Sequence, residues 1–589
     1  MFESLVTARL GGPATALQRG RWSLQVRGDE VADIRYDGVL LLRAVRPVVR
    51  DSDWNTVPVR VVDTEPRADG SGLATRLEFA AEGIAYAAEL TVALEDAELT
   101  VAFRGRALDG FARNRVGLVV LHPAAEAGRP VQVRHPDGSL TAGTWPVEIS
   151  PHQPFTDVAG FRWTTDGVRA ELELIGEVFE TEDQRNWTDA SYKTYGTPLA
   201  LPFPVLVEPG ETCDQEVRLR VDGRRRSTDA PAPRTVTVST EVVGTVPPLS
   251  LGAALHPPPD DTGLAALAHR AGRYQALLVE LTGAAEHWPE LLAEAARQAA
   301  ALDAALEVRV VTADAAALER CLAALPPRPV LRLAVFDPED HGTSRALWPR
   351  VRDAGPGLDP AALVLAGTRA NFTELNRHQD RIPADAAALT FSLTPQMHAT
   401  EVPHLVNSLA TQRTVVENAL RLAAGRALHV GPVTLARRFN AVATGPPLDA
   451  ATEAGRATDP LQGTGFTAAW TLGSVGALTR PGVSSLCYYE TTGPRGILAT
   501  DGTPTPAAAV LDRLAALRGR PVLASTGPDG LAVLAVRTID DAVEVWLGNL
   551  TGQDRAVVVQ FQDDVTQEVH LPGWSTTTTF SGRADPAPA

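Results

Sequence analysis

The first 235 residues alternate apolar and polar side chains with a period of two. The alternation is clearest in the segments 21–42 and 74–105, which turns containing Gly and Asp interrupt. Such a pattern is typical of antiparallel strands with one buried face, so we predict an N-terminal β-sandwich over residues 1–235. Its closing strand is predicted at 212–223, and the Arg- and Pro-rich residues 223–235 are predicted to form a linker.

Between residues 245 and 518 the pattern changes to short apolar runs that alternate with Ala- and Leu-rich segments of helical periodicity. Eight strand–helix units in this length match a (β/α)8 TIM-like barrel, which we predict as the central domain. The eight predicted strands are 249–255, 274–281, 306–312, 330–336, 362–368, 388–394, 427–435 and 483–490.

Residues 519–582 return to short alternating strands with turn residues between them. They predict a small C-terminal β-sandwich, and residues 583–589 are predicted to be a tail. The whole chain is therefore expected to be multidomain, with an α/β barrel between two all-β domains.

The composition narrows the class of protein. Acidic residues outnumber basic residues by 71 to 54, so the formal net charge is −17, which argues against a nucleic-acid partner. No segment approaches the roughly 20 apolar residues that span a bilayer. The first twenty residues lack a secretion signal, and three widely separated cysteines indicate free thiols. We expect a cytoplasmic protein that has no membrane partner.

Polar side chains follow the last four predicted barrel strands. In such barrels catalytic residues come from the carboxyl ends of strands, so this clustering favours a site over isolated helix caps. The spacing of His398, Glu401 and His404 lacks the order of a zinc motif, and we expect neither metal nor cofactor. The strand-end candidates are Asn371, Glu374, Asn376, Arg377, Gln396, His398, Arg437, Arg438, Asn440, Tyr488, Tyr489, Glu490 and Arg495.

A second concentration of polar and aromatic residues lies at 179–195, which we predict to be a loop. It contains Glu182, Asp183 and Asn186, and it holds Lys193, the only lysine of the chain. A solvated loop is the simpler interpretation, but an ammonium with a tunable pKa is not replaced by a guanidinium, which favours a functional lysine. We hypothesise that this loop reaches over the barrel mouth together with two similar loops, 51–55 and 150–155.

These residues also carry a resemblance to a known family. ISPHQPFTDVAG, FETEDQRNWTDASYKTYGTPLALPFPV, ANFTELNR, FSLTPQMHA, HVGPVTLARRFN and CYYETTGPRG resemble the D-apionate lactonase family, and the likeness extends over nearly the whole chain. The resemblance implies an N-terminal β-domain, a TIM barrel and a C-terminal β-domain. It also implies hydrolysis of D-apionolactone, a branched five-carbon sugar lactone, to D-apionate in apiose catabolism.

Lactone hydrolysis needs a base for water and a group that stabilises the oxyanion. We predict Glu374 or Glu490 as the base, and Lys193 with Tyr489 or His398 as the oxyanion group. The barrel has no Gly-x-Ser-x-Gly motif, so a serine nucleophile is not expected. The predicted substrate-binding residues are Glu182, Asp183, Asn186, Asn376, Gln396, Arg437 and Tyr489.

Two other functions are compatible with the same residues. A retaining glycoside hydrolase would use Glu374 as acid/base and Glu490 as nucleophile, which lie three predicted strands apart. Its two carboxyl groups would have to be about 5–5.5 Å apart. A carbohydrate-binding protein without catalysis is the third hypothesis, and the number of carboxylates at the strand ends disfavours it.

Overall fold

The computed structural model describes residues 6, 9–10, 14–226, 235–358, 362–443, 448–561 and 565–581. Most of the predicted linker 223–235 and the whole predicted tail 583–589 lie outside these residues.

From Thr15 to Gly223 the N-terminal part consists of strands and short 3₁₀ turns. The strands described up to Gly223 are β1 (Thr15–Arg19), β2 (Trp22–Arg27), β3 (Glu30–Tyr36), β4 (Val39–Asp51), β5 (Val59–Pro66), β6 (Gly72–Ala81), β7 (Ile84–Leu94), β8 (Glu98–Ala107), β9 (Phe111–Pro123), β10 (Pro130–Arg134), β11 (Leu140–Thr144), β12 (Phe155–Val158), β13 (Gly160–Thr165), β14 (Val168–Ile175), β15 (Phe179–Asp183), β16 (Ser191–Tyr195), β17 (Val205–Val207) and β18 (Thr212–Gly223).

These strands form two antiparallel sheets of nine strands each. One sheet runs β1-β2-β3-β4-β9-β16-β15-β12, with β17 also paired to β9, and the other runs β11-β10-β13-β14-β18-β8-β7-β6-β5. Their inner faces enclose one apolar core that contains Trp22, Phe103 and Phe161. The predicted β-sandwich is confirmed, and β18 coincides with the predicted closing strand.

Residues 179–195 are a β-hairpin, so the prediction of a loop was wrong. Strands β15 and β16 pair antiparallel, and a 3₁₀ turn at Gln184–Trp187 lies between them. Phe179 and Tyr192 belong to the sandwich core, whereas Glu182 and Lys193 are cross-strand neighbours on the other face. All five residues of β15 are buried, because the barrel covers the polar face. A strand buried on both faces shows no simple alternation of apolar and polar residues.

The central part is a closed parallel barrel. All eight predicted barrel strands overlap observed ones, and β20 pairs with β27 to close the ring. The strands that precede or form it are β19 (Thr235–Thr245), β20 (Leu249–Gly252), β21 (Ala276–Leu281), β22 (Ala305–Val311), β23 (Val330–Phe336), β24 (Leu363–Gly367), β25 (Ala388–Leu393), β26 (Ala427–Val433), β27 (Val483–Thr492) and β28 (Gly496–Leu498).

Helices follow the barrel strands and cover the outside of the ring. Their bounds are α1 (Asp261–Ala268), α2 (Trp288–Ala301), α3 (Ala315–Ala323), α4 (Trp348–Leu358), α5 (Phe372–Arg377), α6 (Val402–Ala423), α7 (Ala450–Arg456), α8 (Gly465–Leu478) and α9 (Pro506–Ala516). None of the helices in the described ranges is long and apolar enough to cross a membrane.

The C-terminal part is a seven-stranded sheet in the order β33-β32-β19-β29-β30-β31-β34. Strand β19 precedes the barrel in the chain and was not predicted, because most of its side chains are exposed and give little apolar signal. Val236, Val545 and Val557 share the core of this sheet. Its other strands are β29 (Pro521–Thr526), β30 (Leu531–Arg537), β31 (Val543–Asn549), β32 (Arg555–Gln560), β33 (Thr566–Leu571) and β34 (Thr576–Phe580).

A network of buried charges joins the N-terminal sandwich to the barrel. His404 Nε2 on α6 lies 2.7 Å from Glu30 Oε1 on β3. Arg46 on β4 contacts Asp29 at 3.0 Å and Glu401 at 3.2 Å. Because these groups are desolvated, each partner needs the other to remain charged, which fixes how the two domains meet.

This network predicts acid sensitivity. Burial disfavours the Glu30 carboxylate, but His404 and Arg46 outweigh it and lower the pKa of Glu30 from 4.5 to about 2. The carboxylate therefore stabilises the fold above pH 4.5 and loses this effect as the pH falls towards 2. We expect Glu30→Gln to remove a pH-dependent term of the order of 3 kcal/mol from the unfolding free energy. Thermal unfolding between about pH 2 and 5 measures this contribution, and Glu65→Gln on an exposed strand is the control. If the unfolding free energy of Glu30→Gln depended on pH as steeply as that of wild type, the assignment would be contradicted.

Candidate functional site

A cavity of about 260 Å³ lies between the N-terminal sandwich and the carboxyl ends of the barrel strands. Side chains of both domains line it, so neither domain contains the complete cavity. We refer to it as the interdomain cavity. Its principal polar and aromatic lining residues are Arg50, Trp54, Glu182, Lys193, Tyr195, Glu374, Arg377, His398, Arg437 and Asn440.

Glu374 is a buried carboxyl group of this cavity with a strongly raised pKa. It lies in the first turn of α5, the short helix that follows β24. Burial raises the pKa of Glu374 from 4.5 to about 7, and Arg377 only partly opposes the effect. Its Oε2 atom is buried and has no hydrogen-bond partner among the described residues. Near neutral pH both protonation states are therefore populated, which suits proton transfer.

Lys193 and Glu182 form an ion pair on the hairpin face that lines the cavity. Burial disfavours the Glu182 carboxylate, but Lys193 and His398 outweigh it, so the pKa of Glu182 is lowered. The Lys193 ammonium also lies 4.9 Å from the centroid of the Tyr195 ring. The ion pair carries no net charge, so its ammonium acts on a ligand only at close range, where a poorly hydrated cavity makes its effect stronger than in water.

His398 is held by a carboxylate of the other domain. Its Nδ1 atom lies 2.7 Å from Asp189 Oδ2, and its ring packs against the edge of Trp187 at a centroid distance of 5.2 Å. Burial lowers the pKa of His398, while Asp189 acts in the opposite direction. The neutral ring donates its Nδ1 proton to Asp189, which leaves Nε2 as a hydrogen-bond acceptor.

We expect Asp189→Asn to lower the pKa of His398 further, because the carboxylate favours the charged ring. NMR titration of the histidine ring signals measures this pKa and also reports the tautomer. Asp157→Asn, at an exposed position of the same domain, serves as the matched control. An unchanged His398 titration in Asp189→Asn would show that the two side chains do not interact in solution.

Two further loops of the sandwich meet the barrel at this cavity. Arg377 donates to the carbonyl of Pro151 at 3.0 Å and lies 5.0 Å from the Trp187 ring. Arg437 donates to Asn55 Oδ1 at 3.1 Å. The loops 51–55 and 150–155 therefore contact the ends of the barrel strands, as hypothesised.

Five of the seven predicted substrate-binding residues do not line the interdomain cavity. Tyr489 is one of them, and the other four are bound to neighbouring protein groups. Asn376 donates to Asn186 Oδ1 at 3.0 Å, and Gln396 donates to Asp459 at 2.7 Å. Asp183 forms a buried ion pair with Arg185. The bond between Asn376 and Asn186 holds the hairpin against the barrel, whereas the Gln396 contact lies within the barrel and the Asp183 ion pair within the hairpin. The four residues are Asp183, Asn186, Asn376 and Gln396.

Glu490 and Tyr489 lie in a second cavity, of about 190 Å³, at the centre of the barrel mouth. Arg495 holds both oxygens of Glu490, at 2.8 and 3.0 Å, while burial raises the pKa of this carboxyl. The Tyr489 hydroxyl pairs with Thr471 at 2.7 Å. The structure thus places Glu374 and Glu490 in different cavities. We refer to the second one as the mouth cavity.

Sequence reasoning missed Arg50, which lies on β4 and lines the interdomain cavity. Burial lowers the pKa of Arg50 to about 10, and its guanidinium donates to the carbonyl of Trp54 at 3.2 Å. An arginine in an alternating strand has the pattern of a solvent-facing residue, so no sequence signal pointed to it. In the described part of the chain, no three His, Cys, Asp or Glu side chains group to hold a metal ion.

The fold and the cavity define a class of protein: a barrel whose polar cleft is completed by an N-terminal β-sandwich. Family models of the D-apionate lactonase N-terminal domain and of the D-apionate lactonase TIM barrel domain match residues 3–224 and 258–519. The chain belongs to the D-apionate lactonase family and is therefore a hydrolase.

A D-apionate lactonase from Brucella anthropi is 29% identical over 587 residues, which cover 93% of this chain and 94% of that protein. Among solved structures, a glycoside hydrolase family 30 endoxylanase from Clostridium papyrosolvens C71 matches with a TM-score of 0.39 and 14% identity, over 59% of this chain and 99% of that one. A glycoside hydrolase family 51 arabinofuranosidase from Xanthomonas axonopodis pv. citri matches with a TM-score of 0.38 and 14% identity, over 56% and 87%.

Proposed function

We propose that the protein hydrolyses a sugar lactone of the D-apionolactone class to the aldonate, and that the reaction takes place in the interdomain cavity. One observation carries the proposal: a carboxyl group with a pKa of about 7 and an unpartnered oxygen lines the same cavity as a paired lysine ammonium. This combination supplies both a base for water and a charge for the oxyanion. The name of the Brucella anthropi relative supports the substrate class.

Glu374 is assigned the proton transfers. As the carboxylate it takes a proton from water while the water oxygen bonds to the lactone carbonyl carbon. When the tetrahedral intermediate collapses, the ester C–O bond to the ring oxygen breaks, and Glu374 returns the proton to that oxygen. The product is one open-chain hydroxy acid. Because Glu374 has given back the proton that it took from water, its carboxylate is regenerated without a cofactor.

Lys193 is assigned to the oxyanion. The carbonyl oxygen gains negative charge as water adds, and an ammonium in a dry cavity stabilises that charge more than it stabilises the neutral lactone. One such group contributes about 3–4 kcal/mol to the transition state. Glu182 keeps the ammonium in place, so the group needs no reorganisation during the reaction.

The remaining lining groups suit a small hydroxylated ring. His398 Nε2 is an acceptor, whereas Arg377 and Arg437 are donors at the barrel side of the cavity. Val48, Val119 and Leu199 line an apolar side, against which the carbon face of a sugar ring can pack. We assign His398 and Arg437 to hydroxyl groups of the substrate.

A substrate panel tests the proposal. Purified protein is offered D-apionolactone, unbranched pentono- and hexonolactones and nitrophenyl glycosides, with EDTA in parallel. We expect acid release from lactones, most rapidly from the branched one, and no nitrophenol release. Release of nitrophenol without acid release from any lactone would instead support glycosidase chemistry.

A further inference from the structure

The mouth cavity is not used by the proposed lactone chemistry, although it lies where barrel proteins bind their ligands. One loop separates it from the interdomain cavity. Arg437 and Asn440 line the interdomain cavity, whereas Arg438 and Phe439 line the mouth cavity. The segment after β26 therefore contributes side chains to both cavities, with residues 438 and 439 in the mouth cavity and residues 437 and 440 in the interdomain cavity.

Glu280, at the end of β21, uses only one of its two carboxylate oxygens in hydrogen bonds to described residues. Arg369 contacts its Oε1 atom at 2.5 Å and Arg438 contacts the same atom at 3.1 Å. Its Oε2 atom is buried and has no hydrogen-bond partner within the described residues. The two guanidinium groups outweigh burial and lower the pKa of Glu280 to about 2, so this oxygen only accepts. An unsatisfied buried acceptor calls for a donor, and no described side chain supplies one.

The arginines of the mouth cavity are engaged with protein groups. Arg495 holds Glu490 through both oxygens and also donates to the carbonyls of His256 and Ala454, each at 3.0 Å. Arg438 donates to Glu280 and to the carbonyl of Arg369. An anionic ligand would have to displace these bonds, so the cavity is not built for a carboxylate or a phosphate.

The charges of the cavity also disfavour a cation. The carboxylates of Glu280, Glu453 and Glu490 are matched by three guanidinium groups. The Coulomb attraction of a cation to the carboxylates is therefore cancelled by the arginines around them. What remains is a set of acceptors, which bind hydroxyl hydrogens of a neutral molecule.

An apolar wall completes the cavity. The ring of Phe439 lines it and is held by Arg369, whose guanidinium carbon lies 3.9 Å from the ring centroid. Leu278, Pro432 and Leu435 continue this wall. A cavity that offers both hydrogen-bond acceptors and carbon surface matches the hydroxyl groups and the carbon skeleton of a sugar or a sugar alcohol.

We propose that the mouth cavity is a second binding site, for a neutral polyhydroxylated ligand of monosaccharide size. Glu280 and Glu453 accept its hydroxyl hydrogens, and Phe439 packs against its carbon face. This site is independent of the lactone chemistry assigned to the interdomain cavity.

Saturation-transfer NMR tests the site with D-xylose and xylitol as neutral probes and D-xylonate as the charged comparison. We expect saturable binding of the neutral probes to wild type, and about tenfold weaker binding to Glu453→Gln because a hydrogen bond to a charged acceptor is lost. Ala457→Leu, which fills the cavity without changing charge, should abolish binding. Glu374→Gln is the matched control in the other cavity and should bind the probes as wild type does.

Lactone kcat/KM should be the same in Glu453→Gln as in wild type. Absence of saturable binding, preference for D-xylonate, or loss of binding in Glu374→Gln alone would overturn the second site. Loss of lactone turnover in Glu453→Gln with turnover kept in Glu374→Gln would overturn both assignments, since the mouth cavity would then be the catalytic one. Retained lactone turnover in Ala457→Leu shows that this variant is folded.

Discussion

Glu374→Gln is expected to lower lactone kcat/KM by about 10²–10⁴-fold, the contribution of a positioned general base. The amide has nearly the same shape but can neither take the proton of water nor return it to the ring oxygen. In wild type, kcat/KM should rise with pH through the Glu374 pKa of about 7, because only the carboxylate is the base. The residual kcat/KM of Glu374→Gln should not rise with pH in this range. Initial rates across pH measure both effects.

The same substitution should stabilise the protein at alkaline pH. A carboxyl whose pKa is raised on folding binds its proton more tightly in the folded state, so wild type loses stability as pH rises from 4.5 to about 7. Glutamine carries no such cost. We expect Glu374→Gln to exceed wild type in unfolding free energy above pH 7 by an amount of the order of 3 kcal/mol.

Glu339→Gln, at an exposed position in the loop after β23, is the control for both measurements. A Glu374→Gln enzyme that keeps turnover within about threefold of wild type would remove Glu374 from the mechanism. A variant that loses turnover together with stability would show a structural role instead. The two readouts therefore distinguish a base from a residue that only supports the fold.

The barrel could be predicted because its strands are buried on all sides and appear as short apolar runs. The hairpin β15–β16 could not, because its second face is covered by another domain that sequence periodicity does not reveal. Strand β19 was missed for the opposite reason, since its exposed side chains resemble a linker.

Polar clustering at strand ends indicated the region of the site but not its members. Asn376 and Gln396 follow barrel strands as Glu374 and His398 do, yet they bind Asn186 and Asp459 instead of lining the interdomain cavity. A domain interface and a ligand site both need polar groups at these positions, so they give the same sequence signature. For Asn376 the difference is set by Asn186 of the N-terminal sandwich, 190 positions away in the chain, and for Gln396 it is set by Asp459 of the barrel part. Neither partner can be read from local sequence.

Lys193→Met should have two separable effects. Loss of the ammonium removes oxyanion stabilisation, for which we expect kcat/KM to fall by about 10²–10³-fold. It also leaves Glu182 buried without its cation, which costs about 3–5 kcal/mol of unfolding free energy. Lys193→Arg keeps the positive charge but replaces the compact ammonium by a planar guanidinium group. Compared with Lys193→Met, it should therefore recover more of the stability than of the turnover. Kinetics and thermal unfolding of each variant measure the two effects.

The double variant Glu182→Gln with Lys193→Met separates these effects within one protein. Neutral glutamine removes the uncompensated charge, so stability should return towards that of wild type, while turnover should stay as low as in Lys193→Met. The single variant Glu182→Gln keeps the ammonium but frees its position, and a smaller loss of kcat/KM is expected. If the double variant instead recovers turnover together with stability, Lys193 serves only to neutralise Glu182. The oxyanion would then have to be stabilised from the barrel side, where the Arg377 guanidinium opposes the rise in the pKa of Glu374.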